Sequence, residues 1–418
     1  MTGRVHIVGA GLAGLSSAVR LAERGTPVSI YEAAPFAGGR CRTFADRRLE
    51  RDVDNGNHLV LSGNASANAY LDAIGGRDQM MTAPEAAFDF VDLGDDSRWK
   101  VTMNSGSIPW WITRTATRIP GTRLADYLGG LALAMARPGR TVAEAVRGRG
   151  PLWSRFWEPM TLAVLNTTPE QGEARLLWRA MAETFAKGGE QCRPMLAKNG
   201  LGRALVDPAV ALLERRGIPI AFGHALKGVT NEAERVTMLH FANGRAEPVG
   251  PDERVVLALP PTRLKAALPW VDVPRDDASI LNAHFVVNDP AELQGRPPII
   301  GLVNATTHWA FIKGDVVSLT VSAADKLGVM DKAPDDLMPD LWAETAQALS
   351  LKKGYKAARI NKERRATIDQ SPQEAAKRPN ARTPLANLVL AGDATQTGLP
   401  ATIEGAIRSG ETAARLAA

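Results

Sequence analysis

The sequence predicts an α/β dinucleotide-binding lobe into which a second, α+β lobe is inserted. Three observations predict it. A glycine-rich turn joins an apolar strand to a helix near the start, a strand ending in Gly-Asp precedes a helix near the end, and a tryptophan-rich stretch lies between them. The chain has 418 residues, more than one hydrophobic core usually serves, so two lobes are the natural expectation.

The elements follow in order. Arg4 to Val8 reads as a short buried strand, Gly9 to Gly14 as the turn, and Leu15 to Arg24 as a helix with small residues on one side. Gly25 closes that helix, since glycine takes a left-handed C-terminal position without a Cβ penalty. Pro27 to Tyr31 is a second strand ending at Glu32, which completes a βαβ opening. From about residue 87 the character changes: Trp99, Trp110, Trp111, Trp153, Phe156, Trp157 and Trp178 supply large apolar walls, and Arg123 to Arg137 reads as a helix apolar around most of its circumference. Near Asn199 the α/β pattern returns, with a turn at Gly200 and Gly202, a helix over Arg203 to Arg215 and a strand over Ile218 to Phe222. Val255 to Leu259 is another buried strand, stopped by Pro260 and Pro261. The stretch 269–381 is mixed, with Trp270, Phe285, Trp309 and Phe311 again large and apolar. Leu388 to Ala391 is a strand and Thr402 to Leu416 a helix. The expected division is 1–86, 200–268 and 382–418 for the nucleotide-binding lobe, with 87–199 and 269–381 forming the inserted substrate-binding lobe.

Composition narrows the function classes. Hydrophobic residues make up 45% and charged residues 23%, the balance of a soluble globular protein. The net charge of +5 is a mild excess of base. No Lys/Arg run is interleaved with aromatics, so no nucleic-acid partner is expected. Two cysteines, Cys41 and Cys192, and six scattered histidines exclude a disulfide framework and give no metal-ligand spacing. The first residues lack the order of a signal peptide. Leu128 to Ala136 falls far short of the roughly 20 apolar residues of a spanning helix. The expectation is a cytoplasmic protein, with attachment to the inner face of a membrane left open.

Three segments carry chemistry. In Gly9-Ala10-Gly11-Leu12-Ala13-Gly14 the glycines allow a tight turn and close approach to a pyrophosphate, and the helix that follows supplies N–H groups and a favourable dipole. Glu32 lies where an acidic residue binds ribose hydroxyls. The second segment, Pro35 to Arg40, follows directly and points to FAD over NAD: Gly38 and Gly39 permit approach to the pyrophosphate, and Arg40 can pair with its oxygens. The third runs through Gly392 and Asp393 to Pro400-Ala401-Thr402-Ile403-Glu404. Asp393 suits a ribityl chain or phosphate, and a helix N-terminus after Pro400 suits the flavin edge where negative charge collects on reduction.

These three segments, in this order, resemble the amine oxidase and phytoene desaturase superfamily. The likeness extends to Asp54-Asn55-Gly56-Asn57-His58, one residue tighter than the superfamily's usual stretch, to the Gly200–Gly202 turn and to Val229. It implies FAD contacts at Gly9, Gly11, Leu12, Ala13 and Gly14, at Glu32 and Ala33, and at Gly38, Gly39 and Arg40. It implies further contacts at Asn57 and His58, at Val229 through its backbone, and at Gly392, Asp393, Ala401 and Thr402. Two stretches, Asp54 to Asn64 and Arg155 to Pro169, are similar to the hydroxysqualene dehydroxylase branch.

That branch implies reductive removal of an allylic hydroxyl from a polyisoprenoid lipid, with reduced FAD as hydride source. The tryptophan-rich lobe would line an apolar tunnel and stabilise an allylic cation. The leaving hydroxyl needs a proton, for which His58, Glu158 and Glu404 are the candidates; none is expected to be individually indispensable. His58 has the alternative of ordering its loop by hydrogen bonding. No second glycine motif of comparable quality is present, so the electron donor stays open. Ile108 to Ile112 beside Arg114 and Arg118 suggests peripheral membrane contact. The rival readings are a carotenoid desaturase or amine oxidase of the same fold, and a non-enzymatic prenyl-lipid carrier.

Overall fold

The fold comes from a computed structural model, which describes residues 3–147 and 149–418. Ile220–Ala221, Val28–Tyr31, Val5–Val8, Arg254–Leu257 and Leu388–Leu390 lie side by side in that order, all parallel. Parallel strands are covered on both faces, and Val5–Val8 is buried at every position. The glycine turn winds straight into the helix Leu12–Glu23, so the helix begins earlier than the sequence suggests. This first helix packs against the last, Ile403–Ala417. Gly410 makes the approach possible: a Cβ there would lie 2.2 Å from the Ala13 carbonyl oxygen. The Ser16 hydroxyl donates to the Ile407 carbonyl at 3.0 Å. The two ends of the chain thus form one surface.

The single helix expected over Arg203 to Arg215 is two, Leu201–Leu205 and Asp207–Arg215. Pro208 explains the break, because it has no N–H to give the carbonyl four residues back, in the first helix, and its ring crowds that carbonyl, whereas it is accepted in the first turn of the second helix.

The stretch 269–381 resolves into most of a seven-stranded sheet. Its order is Tyr355–Thr367, Ala278–Val287, Val316–Val321, Trp309–Lys313, Ile299–Val303, Ala87–Asp92 and Arg98–Thr102. All neighbours are antiparallel except Ile299–Val303 with Ala87–Asp92. The helix Pro334–Leu349 covers part of it, packing Leu337, Met338 and Leu341 into a cluster with Leu281, Phe285 and Val317. A second cluster joins Phe88, Phe90, Trp99 and Val303 of the sheet to Trp157, Leu165 and Leu177.

The expected helix Arg123 to Arg137 is a 3-10 turn, Leu124–Leu128, continued by a short α-helix, Gly129–Ala134. Gly129 lets it settle on Val146, whose Cγ1 would be 2.9 Å from an added Cβ, with Trp157 beside it. No described helix is long and apolar enough to cross a membrane.

Candidate functional site

The glycine turn forms one wall of the site. Gly9 has φ of +106°, and a Cβ there would sit 2.3 Å from the Ala258 carbonyl oxygen. Around Gly11 nothing lies within 4 Å of an added Cβ, so its α-carbon faces open space. The Gly38 N–H donates to the Ala10 carbonyl at 2.8 Å and pairs the second glycine segment with the first. Gly39 lies 3.4 Å from the Gly11 α-carbon by the same measure. Leu12, Ala13 and Gly14 are buried in the first turn of the helix behind this wall.

Glu32 is fixed by its neighbours. One carboxylate oxygen accepts the Ala10 N–H at 2.7 Å and the other accepts the Ala34 N–H at 2.8 Å. A carboxylate offers about four acceptor directions, so both oxygens keep capacity for ribose hydroxyls. Ala33 is exposed beside it. Val229, half-buried, lies in the strand Leu226–Glu232 opposite Leu239.

From the other end of the chain comes Asp393, buried, with one carboxylate oxygen 2.6 Å from the Arg40 guanidinium. Arg40 also donates to the Ala366 carbonyl at 2.9 Å. The guanidinium expected on phosphate oxygens therefore ties the glycine segment to the Gly-Asp segment. Gly392 has φ of +128° and, like Gly11, almost nothing close to an added Cβ. Ala401 donates its N–H to the Gln370 side chain at 2.8 Å, and the Thr402 hydroxyl caps the last helix by accepting the Gly405 N–H at 3.1 Å.

Arg378, not singled out in the sequence, organises this end. It is buried and donates to the carbonyls of Thr395, Leu399 and Asp393 at 3.0, 2.6 and 2.8 Å, and to the Thr397 hydroxyl at 3.0 Å. Burial pulls its pKa down to about 10, which leaves it charged at neutral pH. Nothing in Lys377-Arg378-Pro379 signals that the side chain turns inward.

The Asp54–His58 segment divides its labour. Asp54 accepts from the Thr43 hydroxyl at 2.5 Å and from the Leu201 N–H at 2.9 Å, while Thr43 accepts the Gly202 N–H at 2.9 Å. Two segments distant in sequence are thereby joined. Asn57 reaches the seven-stranded sheet, donating to the Thr320 hydroxyl at 3.1 Å and lying 3.4 Å from the Asn282 side-chain oxygen. Asn282 had a sequence signal: with His284, it interrupts an otherwise apolar strand. His58 keeps an exposed face and makes no hydrogen bond among the described residues, so the expected loop-ordering bond is not formed. Packed surroundings, with Arg40 second, push its pKa down to about 4, so the imidazole is neutral at physiological pH.

The other two acid candidates separate clearly. Glu404 is buried, and its oxygens accept the N–H groups of Ser66 and Ala67 at 3.1 and 2.9 Å and the Arg408 guanidinium at 2.7 Å. It caps the helix Ala65–Ile74 and holds an ion pair; the role expected of it as proton donor is corrected to this anchoring one, because its acceptor sites are engaged. Glu158 opens the helix Glu158–Leu165 in the tryptophan-rich lobe, is exposed, and has no hydrogen bond or ion pair among the described residues. Partial burial, with Glu170 second, raises its pKa above the usual carboxylate value.

Open space over Gly11 and Gly392, spare acceptor capacity on Glu32, and a helix start between them fit a dinucleotide with a pyrophosphate bridge. The chain matches the family described as flavin containing amine oxidoreductase over residues 12–287 and 295–418, and it belongs to that family. An oxidoreductase from Methanosarcina mazei has the same fold, with a TM-score of 0.71 at 12% identity over 98% of this chain and 99% of its own. The hydroxysqualene dehydroxylase of Rhodopseudomonas palustris is 39% identical over 100% of this chain and 98% of its own length. That of Sinorhizobium fredii is 41% identical over 100% and 99%. Within the flavin family, membership thus falls in the hydroxysqualene dehydroxylase branch.

Proposed function

We propose that this chain is an FAD-dependent enzyme that removes the hydroxyl of hydroxysqualene to give squalene. The observation that carries the reading is end-to-end kinship with hydroxysqualene dehydroxylases, supported by the open space over Gly11 and Gly392 and the acceptor capacity of Glu32. Bound FAD, when reduced, supplies a hydride.

The protein's own residues do the rest. The glycine segments and Glu32 hold the dinucleotide, and Arg40 with Asp393 joins the two chain ends around it. Protonation would release the substrate hydroxyl as water, and a hydride from bound reduced FAD would close the resulting allylic cation, so charge and atoms balance. Keeping bulk water away from that cation is the task of the apolar lobe. Phe90, Trp99, Trp157 and Trp309 belong to its aromatic cluster. Of the acid candidates, Glu158 is the carboxyl with no hydrogen bond or ion pair among the described residues, so it is free to carry a proton to the substrate.

A polyisoprenoid substrate also favours peripheral contact with a membrane, beginning at Ile108 to Ile112 with Arg114 and Arg118. The electron donor is not specified by these residues.

The test is product analysis. The purified holoenzyme, kept without oxygen under chemical reductant, is given hydroxysqualene. Squalene is the expected product. Recovery of untouched hydroxysqualene by a flavin-loaded protein would refute the substrate, and polyene desaturation would then lead.

A further inference from the structure

One face of the substrate lobe is unlike the rest of the surface. Among the described residues, six of the eleven exposed large apolar side chains fall between Ile108 and Met135. They are 50% to 76% exposed. Four of them, Leu124, Leu128, Leu131 and Met135, are spaced i, i+4, i+7 and i+11. Leu128 and Leu131 are neighbours across one turn of the short helix, Leu124 and Met135 flank it, and all four are exposed. The opposite side is already used: Leu133 is fully buried, and Tyr127 meets Trp111 edge-on at 5.6 Å. The Trp111–Tyr127 contact also brings the loop of Ile108 and Trp110 beside the helical stripe. The stripe is therefore a second apolar face with nothing from its own chain upon it.

Charge is concentrated in the same stretch of chain. Between residues 104 and 150 there are seven arginines, from Arg114 to Arg149, and only two acids, Asp126 and Glu144. This segment is +5, equal to the formal net charge of the entire chain, so the remainder balances to zero. The two acids pair with Arg123 and Arg140 at 3.6 and 3.4 Å. The other five arginines have no ion pair among the described residues.

We propose that this face is a docking surface for an anionic lipid bilayer, with the Leu124–Met135 stripe and Trp110 entering the headgroup boundary and the arginines engaging lipid phosphates. An apolar stripe flanked by cations is the arrangement of an interfacial helix. Guanidinium groups match phosphate oxygens in pairs, and tryptophan favours the zone between water and hydrocarbon. A second copy of the chain fits poorly, since it would set seven arginines against seven. The inference deepens the proposed function by naming the phase from which a lipid substrate arrives, and rests on it for that clause alone.

The test sediments the FAD-loaded protein with phosphatidylcholine vesicles, with and without about one-third phosphatidylglycerol, at low and high salt. Leu128→Glu with Leu131→Glu is compared with Arg114→Ser with Arg137→Ser. Binding to the anionic vesicles is expected, weakened by salt. Both double variants should lose about tenfold or more, with flavin absorbance and melting temperature unchanged. Three results would overturn the proposal: wild-type protein left in the supernatant, binding equal on vesicles without phosphatidylglycerol, or a soluble dimer that the glutamates dissociate. Since none of these readings uses hydroxysqualene, a failure here is separable from a failure of the substrate assignment.

Discussion

The two lobes solve different problems in different chemical languages. In the nucleotide-binding lobe the decisive features are backbone conformations and completed hydrogen bonds: Gly9 and Gly392 at positive φ, Glu32 held by two N–H groups, Arg378 donating to four oxygens. In the tryptophan-rich lobe, proposed to hold the substrate, the features are bulky side chains with polar edges left over. The indole N–H groups of Trp99, Trp111, Trp157 and Trp309 are buried with no hydrogen-bond partner among the described residues, each a cost of about 1–3 kcal/mol. A constant cofactor rewards fixed polar geometry. A long apolar substrate rewards shape, and shape tolerates an unsatisfied indole better than a pyrophosphate site tolerates a misplaced N–H.

That contrast can be broken. The largest effect is expected from Gly11→Val, whose Cβ would meet no protein atom within 4 Å and whose side chain would enter the open space of the cradle. The variant should fold, keep its melting temperature as apoprotein, and bind FAD at least about a hundredfold more weakly, roughly 3 kcal/mol; unchanged affinity in a flavin titration would remove Gly11 from the site.

Arg378→Met should come next. It removes the donor to the Asp393 carbonyl and leaves the Thr395 and Leu399 carbonyls with Thr397 alone, which should lower stability by about 1–3 kcal/mol, with loss of flavin on gel filtration; denaturant unfolding measures the first and absorbance the second. If stability and flavin content both hold, the 393–399 loop does not depend on this residue.

Between the acid candidates, Glu158→Gln should slow turnover well beyond Glu404→Gln when both are saturated with FAD. Glu404→Gln should instead lower the melting temperature, since it weakens a helix cap and an ion pair. The reverse order in a rate assay would return the donor role to Glu404.

The smallest effect concerns acid. His284, fully buried beside Ser318, has its pKa lowered by burial from 6.5 to about 4. The unfolded chain therefore binds this proton first as pH falls. Its contribution is complete above about pH 6.5 and is lost on the way down to about 4. Thermal unfolding across that window should show falling stability, and His284→Gln should flatten part of the slope. A parallel slope in the variant would assign the acid sensitivity elsewhere.

Legibility followed the same division. Gly9, Gly11, Glu32 and Asp393 were readable because a turn that needs positive φ, or a carboxylate at a strand end, leaves a residue-type signature. The sheet built from 269–381 was not, since Val316–Val321 is buried throughout and a short continuous apolar run does not separate strand from helix. The helix break at Pro208 was visible in principle, as proline cannot sit in a helix interior but is accepted in a first turn. Arg378 and the anchoring role of Glu404 were not, because each depends on which way one charged side chain turns in three dimensions. The stripe Leu124–Met135 was seen as apolar, but only the fold shows which half of it is left outside.

The most direct test of the central claim is a single turnover. The holoenzyme, its FAD reduced and oxygen removed, is mixed rapidly with hydroxysqualene while flavin absorbance is followed and the lipid is then extracted. One squalene formed for each flavin reoxidised is the predicted result. Flavin that stays reduced in the presence of hydroxysqualene, while the oxidised enzyme becomes reduced on meeting a more saturated polyene, would contradict it and make the chain a desaturase.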